Sequence, residues 1–331
     1  MAKKFLKKEK KESFGQKIVN FILTIVLVCV ISSQMCTAAN NNLRFAQVSD
    51  SHFSSFEENT SYKMLKNSTE LLNDVIFQLN TSGPYDFIVF TGDLINKPKE
   101  SELEKFLIQT KKINYPWYAC VGNHDIAVGG TLTKTRFKKI INSHNRNMHG
   151  DSSYYAFTPK KGFRIICLDS IIDYKITTNG EISKEEILWL KEELDNHTKD
   201  VIVICTHIPI DEPYSSSDHR LYNEYELKSL LKSYKNPIIV IQGHYHCARA
   251  RQNDNIVYIT TPSLVTYPNA FRVININSNK NRTLVDIFLK ETNLKETQKR
   301  SKLRVLGTEL LYGQEEDRNN TFEIKKEKEQ K

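Results

Sequence analysis

The sequence predicts an α/β fold in which parallel strands are layered with helices. Short apolar runs that end at polar residues alternate with stretches of helical apolar spacing through most of the 331-residue chain. Later in the chain the strands recur without helices between them, which predicts antiparallel additions. The chain is 39% hydrophobic and long enough for a sizeable core, so fibrous and low-complexity classes are excluded.

The elements can be taken in order. The first half is predicted to contain a strand at 43–48, a helix at 61–80, a strand at 86–90, a helix at 100–111 and a strand at 117–121. A short helix at 133–141 and strands at 154–157 and 163–168 follow. The capping box from Ser183 to Glu186 opens a helix that reaches Asn196. The last predicted elements are a strand at 201–205, a helix at 224–234, and strands at 237–241, 256–260, 271–276 and 284–289.

Residues 1–38 have the order of a secretory signal, which is basic, then apolar, then small. The apolar run is clearest from Phe21 to Ile31 and is short for a spanning helix, although an uncleaved anchor remains an alternative. We therefore expect a secreted, periplasmic or otherwise extracytoplasmic protein, or one held at the membrane by this segment. The predicted organisation is a signal or anchor at 1–38, one domain at 39–290, and a charged tail at 291–331.

The net charge of +8 is concentrated in the leader. Residues 1–38 hold seven Lys and two Glu, a net of +5, which leaves +3 for the rest of the chain. A nearly balanced surface argues against nucleic acid as a partner. Residues 291–331 carry 10 basic and 9 acidic residues with few aromatics, which predicts a solvated, partly helical or disordered tail.

Polar side chains follow five of the predicted strands. Because strand carboxyl ends gather on one edge of an α/β sheet, we expect these side chains to form one site. Mixed imidazole and carboxylate donors suit Mn, Fe or Zn, and suit Ca or Mg poorly. The candidate site residues are Asp50, His52, Asp93, Asn123, His124, Asp125, His207, His244 and His246.

These residues stand in motifs whose order resembles that of the calcineurin-like metallophosphoesterase family. The motifs are Asp50-x-His52, Gly92-Asp93-x-x-Asn96, Gly122-Asn123-His124-Asp125, His207 and Gly243-His244-x-His246. Purple acid phosphatases, a related group, have Tyr where this chain has Asn96, and they lack the histidine found here at position 52. The chain therefore resembles more closely the broad group that includes class III cyclic-nucleotide phosphodiesterases.

The resemblance implies a four-layer αββα sandwich with two mixed sheets and a two-metal hydrolase of phosphate esters. Asp50, His52 and His246 would hold one metal, and Asn123, His207 and His244 the second. Asp93 would bridge both ions, which would be Mn, Fe or Zn. A hydroxide between the metals would attack phosphorus while His124 assists the leaving group and Asp125 pairs with His124.

The substrate is a small phosphate ester that the sequence does not specify further. A cyclic nucleotide or another phosphodiester, a monoester or nucleotide, and a non-catalytic scaffold on the same fold remain as alternatives. Specificity is expected to lie in residues 126–160 and in the loop after Thr260, which includes Ser263 and Tyr267. Cys120, Cys167, Cys205 and Cys247 are predicted to be buried thiols rather than disulfides.

Overall fold

The computed structural model describes residues 41–148 and 150–326, so the predicted signal or anchor at 1–38 lies outside the described residues. In those two ranges, no helix combines the length and the apolar character that crossing a membrane requires. The described residues confirm the predicted α/β class with two mixed sheets.

The strands and helices are numbered separately in chain order. The strands are β1 (Asn41–Val48), β2 (Phe87–Thr91), β3 (Trp117–Cys120), β4 (Tyr155–Phe157), β5 (Phe163–Cys167), β6 (Val201–Cys205), β7 (Ile238–Gln242), β8 (Arg249–Asn253), β9 (Ile256–Thr260), β10 (Ala270–Ser278), β11 (Arg282–Glu291) and β12 (Asn319–Lys325). The helices are α1 (Ser68–Ser82), α2 (Glu100–Thr110), α3 (Lys134–His144), α4 (Lys184–Asn196), α5 (Glu224–Lys232), α6 (Lys295–Lys302), α7 (Thr308–Tyr312) and α8 (Glu315–Arg318).

Each sheet has six strands and a parallel centre. The first runs β12-β11-β10-β1-β2-β3, and β1, β2 and β3 are mutually parallel. The second runs β4-β5-β6-β7-β9-β8, and β5, β6, β7 and β9 are parallel. Antiparallel strands complete both sheets, which confirms the antiparallel additions that the sequence predicts.

Alternation along the strands separates an inner core from outer cores. In β2, Phe87 and Val89 join an inner cluster to which both sheets contribute, whereas Ile88 and Phe90 pack in the cluster that contains the helices. In the second sheet, Val203 of β6 faces the inner cluster in the same way, while Ile204 faces the helices. The result is the four-layer sandwich of helices, two sheets and helices.

For residues 291–326 the predicted partly helical character is confirmed by α6, α7 and α8, whereas the prediction of a solvated or disordered tail is wrong. Strand β12 pairs with β11 along its whole length, and its Phe322 and Ile324 are buried between exposed neighbours. Helix α8 is attached as well, since Asp317 Oδ1 accepts a hydrogen bond from Ala250 N at 3.0 Å. Within this highly charged segment, apolar residues alternate with polar ones over a few positions, and this short pattern is enough for one strand to join the edge of the sheet.

The four cysteines outside the leader are buried and unpaired, as expected. Cys120, Cys167 and Cys205 lie in the inner cluster between the sheets, where they pack as small apolar side chains. Cys247 is buried beside the strand β8. No redox or metal role is needed to account for these thiols.

Candidate metal centre and active site

The structure brings the strand ends together at one edge of the sandwich. The carboxyl ends of β1, β2 and β3 meet those of β6 and β7, so that loops from both sheets share one cavity. All seven predicted metal ligands lie there, and they are Asp50, His52, Asp93, Asn123, His207, His244 and His246.

The first group of donors comprises Asp50, His52 and His246. His246 Nε2 lies 3.1 Å from His52 Nε2 and 3.2 Å from Asp50 Oδ1. The other carboxylate oxygen, Asp50 Oδ2, accepts hydrogen bonds from Ser49 Oγ at 2.6 Å and from His244 N at 2.9 Å. Those two bonds fix the carboxyl plane and leave Oδ1, which is buried and has no hydrogen-bond partner, directed at the histidine nitrogens.

The second group is centred on His207. Its Nε2 atom lies 3.1 Å from Asn123 Oδ1, 3.2 Å from His244 Nδ1 and 3.4 Å from Asp93 Oδ1. The other ring nitrogen, Nδ1, donates to the carbonyl of Thr91 at 2.9 Å. This bond sets the tautomer, so that Nε2 is the nitrogen that a neutral His207 presents to a metal, as is typical of a metal-ligating histidine.

Asp93 lies between the two groups. Its Oδ1 faces His207, and its Oδ2 lies 3.5 Å from His52 Nε2. Burial acts to raise the pKa of Asp93, but the neighbouring His207, His124 and His52 hold that pKa well below its usual range. Burial acts to lower the pKa of His207, but the Asp93 and Asp50 carboxylates and the hydrogen bond to Thr91 together raise that pKa to about 9. A metal on His207 must therefore displace a proton.

The donor set fits two transition-metal ions. A neutral imidazole offers only one acceptor nitrogen. Here four ring nitrogens, two in each donor group, converge with carboxylate oxygens without enough hydrogens to bridge them all. The buried, unpartnered Asp50 Oδ1 is the atom that a cation in the first group would satisfy. Imidazole, amide and carboxylate donors together favour Mn, Fe or Zn.

The backbone around the ligands is unusual. Five of the seven carry a positive φ although they are not glycine, and they are Asp50, His52, Asp93, His244 and His246. Two motif glycines permit the loops to approach closely. A Cβ at Gly122 would lie 2.0 Å from Asp93 N, and one at Gly243 would lie 2.1 Å from Ser49 Oγ. The glycines of these motifs therefore bring the ligand loops into contact.

His124 lies at the site, but its predicted pairing with Asp125 is wrong. His124 Nδ1 donates to the backbone carbonyl of Asn96 at 2.7 Å. The Asp125 carboxyl instead turns into the protein, where it accepts hydrogen bonds from Ile95 N at 3.0 Å and Gly122 N at 2.8 Å. Adjacent side chains of a tight loop diverge, so Asp125 holds the loop while a carbonyl orients His124.

Lys63 is a site residue that the sequence reading missed. Its side chain is buried, and its Nζ lies 3.2 Å from His52 Nδ1 and 3.4 Å from His124 Nε2. Burial lowers the pKa of Lys63 to about 8, although Asp93 and Asp50 oppose this shift. No motif marks the position, since Lys63 precedes a helix in a segment that otherwise resembles an ordinary connection.

Comparison with known proteins agrees with this geometry. Residues 43–248 match the family model described as calcineurin-like phosphoesterase, and this range contains every residue of both donor groups. The chain belongs to the calcineurin-like phosphoesterase family.

Two bacterial family members are similar to this chain. One is described as a probable cyclic nucleotide phosphodiesterase of Psychrobacter arcticus, with 26% identity over 54% of this chain and 63% of the relative. The chain thus spans less than two thirds of that protein. A probable glycerophosphodiester phosphodiesterase of Arcobacter nitrofigilis is 27% identical over 66% of this chain and 77% of its own length. Family and relatives together support a phosphoester hydrolase.

A solved structure supports the fold. The crystal structure of a dimetal phosphatase from Danio rerio superposes with a TM-score of 0.59 at 16% identity, and the match covers 73% of this chain and 95% of that one. At this identity, the likeness concerns the arrangement of sheets and helices only.

The donor groups open into a cavity of about 600 Å³. The loop after Thr260 lines the cavity, as expected, but through Thr266 rather than Ser263 or Tyr267. None of the described residues in 126–160 lines it, so the expected role of that segment is corrected. Besides the site residues, the cavity is lined by Ser61, Tyr62, Thr178, Tyr214, His219, Tyr245, Thr266, Arg304, Val305, Leu306 and Leu311. The C-terminal segment beyond residue 291 thus forms one wall, because β12 and α8 hold it against the domain.

Local hydrogen bonds account for two of the histidines outside the motifs. His197 Nδ1 lies 2.7 Å from Asp200 Oδ2, and His144 Nδ1 lies 3.0 Å from Ile140 O within its own helix. His149 lies outside the described residues. His219 differs, since it lines the cavity with its ring centroid 5.0 Å from that of His244. Nothing in the sequence around His219 distinguishes it from a surface histidine.

Proposed function

We propose that this protein hydrolyses small phosphodiesters at a two-metal centre, with cyclic nucleotides among its substrates. The observation that carries the proposal is Asp93, whose two carboxylate oxygens face two separate groups of nitrogen and oxygen donors. Asp50, His52 and His246 would hold one ion, and Asn123, His207 and His244 the other. When bound, two such ions lower the pKa of a water and neutralise charge on the phosphoryl oxygens.

The chain's own residues supply the remaining parts. His124 is fixed through Nδ1 by the carbonyl of Asn96, so its Nε2 is available to the leaving-group oxygen. Burial lowers the pKa of His124. An imidazolium formed there is therefore a stronger acid than free histidine, which favours transfer of its proton to a departing alkoxide.

The size and lining of the cavity favour an organic phosphodiester as the substrate over inorganic phosphate alone. Its volume of about 600 Å³ exceeds what a phosphoryl group needs. Tyr62, Tyr214 and Tyr245 provide aromatic surface that suits a nucleobase or another planar group. The relatives described as cyclic nucleotide and glycerophosphodiester phosphodiesterases make diesters the first class to test.

The experiment is a substrate panel with the full chain after metal loading with Mn²⁺, Fe²⁺ or Zn²⁺. Cyclic nucleotides, bis(p-nitrophenyl) phosphate and glycerophosphodiesters are compared with monoesters and nucleotides. Diester turnover is expected to exceed monoester turnover, and the reverse order would support a monoesterase or nucleotidase instead. Absence of turnover with every ester and metal would leave a non-catalytic scaffold.

Two variants separate the roles in the proposed mechanism. Asn123→Ala is expected to reduce metal content, because Asn123 Oδ1 belongs to the His207 group. His124→Ala is expected to keep both metals and to lose about 10²–10⁴-fold in kcat, the range for a positioned acid. Equal metal loss in both variants would contradict the division of roles.

The proposal includes export. Residues 1–38 would direct the domain out of the cytoplasm as a cleaved signal, or hold it at the membrane if they are not removed. Sequencing the N-terminus of the protein from its native host would distinguish the two, and a cytoplasmic protein that keeps Met1 would contradict both.

A further inference from the structure

Lys63 is a buried cation within the catalytic cavity that the metal centre does not explain. Only 4% of its surface is exposed, and its Nζ contacts His52 Nδ1, His124 Nε2 and Asn96 Oδ1 at 3.2–3.4 Å. Among residues 41–148 and 150–326, no carboxylate forms an ion pair with it within 4.0 Å. Burying an ammonium without a carboxylate partner costs free energy, which raises the question of what this charge serves.

The fold holds Lys63 firmly in this position. Lys63 N donates to Thr60 Oγ1 at 2.8 Å, and the Lys63 carbonyl accepts from Thr60 N at 3.0 Å. The next residue, Met64, is fully buried and its N–H donates to Val265 O at 2.7 Å. Arg304 of the C-terminal wall donates to Thr60 O at 2.9 Å. The turn is therefore closed by its own hydrogen bonds and anchored to two other segments, so the ammonium has a defined place.

The surrounding acceptors also have defined orientations. Asn96 Nδ2 donates to Glu57 Oε2 at 2.8 Å, so Asn96 Oδ1 is the atom that faces Lys63. His124 uses Nδ1 as a donor to a carbonyl, so a neutral His124 presents its Nε2 lone pair to Lys63. The Lys63 ammonium thus lies next to the atom of His124 that would meet the leaving group.

Metal binding would release one of the three contacts. His52 faces the first donor group through Nε2, and a ligating imidazole carries its proton on the other nitrogen. His52 Nδ1 would then be a donor and could no longer accept from Lys63. One N–H of Lys63 would become available to a phosphoryl ester in the adjoining cavity, which Lys63 itself lines.

We propose that Lys63 is a catalytic residue that donates a hydrogen bond to the leaving-group oxygen of the phosphoester, beside His124. As the bond from phosphorus to the leaving oxygen breaks, its electron pair moves to that oxygen, and the fixed ammonium stabilises the developing negative charge without transferring its own proton. The inference rests on the proposed phosphoesterase function and adds a second leaving-group donor to it.

The decisive variant is Lys63→Met, which keeps the length of the side chain and removes its charge and its N–H groups. We expect unchanged metal content, a loss of about 10²-fold in kcat for alkyl esters, and a much smaller loss for p-nitrophenyl esters, whose leaving group needs little assistance. Lys63→Arg should recover part of the alkyl-ester rate. Inorganic phosphate binding to the metal-loaded protein, measured by calorimetry, should weaken about 10-fold in Lys63→Met.

A second buried lysine provides the matched control. Lys138 is 3% exposed and lies 3.8 Å from the centre of the Tyr155 ring, outside the cavity. Lys138→Met should change the melting temperature and leave both the leaving-group dependence and the phosphate affinity at wild-type values. A Lys63→Met protein that behaves the same way would overturn the proposal and make Lys63 a structural residue.

The design also separates this proposal from the phosphoesterase function. If the wild-type protein hydrolyses no ester, the proposed function fails, and phosphate affinity still decides whether Lys63 binds a phosphoryl group. Wild-type phosphate affinity in Lys63→Met would then refute the role of Lys63 by itself.

Discussion

Replacing Asp125 with asparagine tests whether this carboxyl supports the loop or orients His124. Asp125 is fully buried, and each of its two oxygens accepts one backbone hydrogen bond, from Ile95 N and from Gly122 N. Asparagine retains one acceptor oxygen, so one of these N–H groups would face an NH₂ group and lose its partner. A buried donor left unsatisfied costs about 1–3 kcal/mol. Burial and Asp93 raise the pKa of Asp125 well above its usual value, so we add nothing for a lost charge.

The free energy of unfolding of the metal-free protein can be measured in urea through the fluorescence of its two tryptophans, Trp117 and Trp189. We expect Asp125→Asn to lower it by about 1–3 kcal/mol. Asp86→Asn is the matched control. Asp86 Oδ2 accepts from Arg44 N at 2.9 Å outside the site, and Asp86 Oδ1 lies 2.7 Å from Nζ of the partly exposed Lys160. Asparagine can preserve the backbone bond, and a solvent-exposed ion pair of this kind contributes at most about 1 kcal/mol. This control should shift the free energy by less than about 1 kcal/mol.

Kinetics distinguish the two roles further. If Asp125 acted through His124, Asp125→Asn and His124→Ala would increase the dependence of kcat on the leaving group alike. Because the carbonyl of Asn96 orients His124, we expect folded Asp125→Asn to keep the wild-type dependence. A variant of wild-type stability that shows the leaving-group dependence of His124→Ala would refute the reasoning.

Two further predictions concern pH and the cavity wall. Burial and Asp169 raise the pKa of Glu186 from 4.5 to about 9, so between these values the folded protein holds a proton that the unfolded chain has lost. The free energy of unfolding should therefore fall as pH rises across that interval, by up to about 1.4 kcal/mol per pH unit. In urea titrations at pH 6 and pH 8, Glu186→Gln should reduce this dependence of the free energy on pH. Leu306 is 98% exposed yet lines the cavity. Leu306→Asp should therefore leave stability unchanged and raise KM for aryl diesters about tenfold. An unchanged KM would exclude Leu306 from substrate contact.

Most of the site residues that the sequence predicts correctly are polar residues directly after a strand. Apolar runs of four or five residues mark β2, β6 and β7, and the polar residues that follow lie at one edge whatever the details of packing. The ligands were therefore accessible from motif order and sheet topology alone. The four-layer arrangement followed from the family resemblance, not from periodicity.

Three features depend on tertiary contacts that a linear pattern does not carry. Asp125 neighbours His124 in sequence, but the direction of its side chain is set by the N–H groups of Ile95 and Gly122. Lys63 reaches the site because Met64 and Thr60 are anchored elsewhere. In β12 only two residues are buried, too few for a composition-based reading to separate the strand from a charged tail.

The left-handed backbone at the ligands leads to a final prediction. His246 has φ of 54° and points its Nε2 at Asp50, so a ligand side chain stands where glycine would be less strained. An L-residue in this conformation costs about 1–2 kcal/mol relative to glycine. We expect His246→Ala and His246→Gly both to lose metal. In the metal-free state the glycine variant should be more stable than the alanine variant by about 1 kcal/mol in urea unfolding, because the relief of strain outweighs glycine's greater chain entropy.

The comparison has a built-in reference, since glycine in place of alanine normally destabilises a protein by about 0.5–1 kcal/mol within regular structure. At Ile239 of the buried strand β7, where the backbone is extended, the same pair of variants should show that usual order. The two sites should therefore give opposite signs. If alanine is the more stable residue at position 246 as well, the reasoning is wrong. The backbone would then relax once the histidine is removed, and the bound metal, rather than the fold, would impose the left-handed conformation.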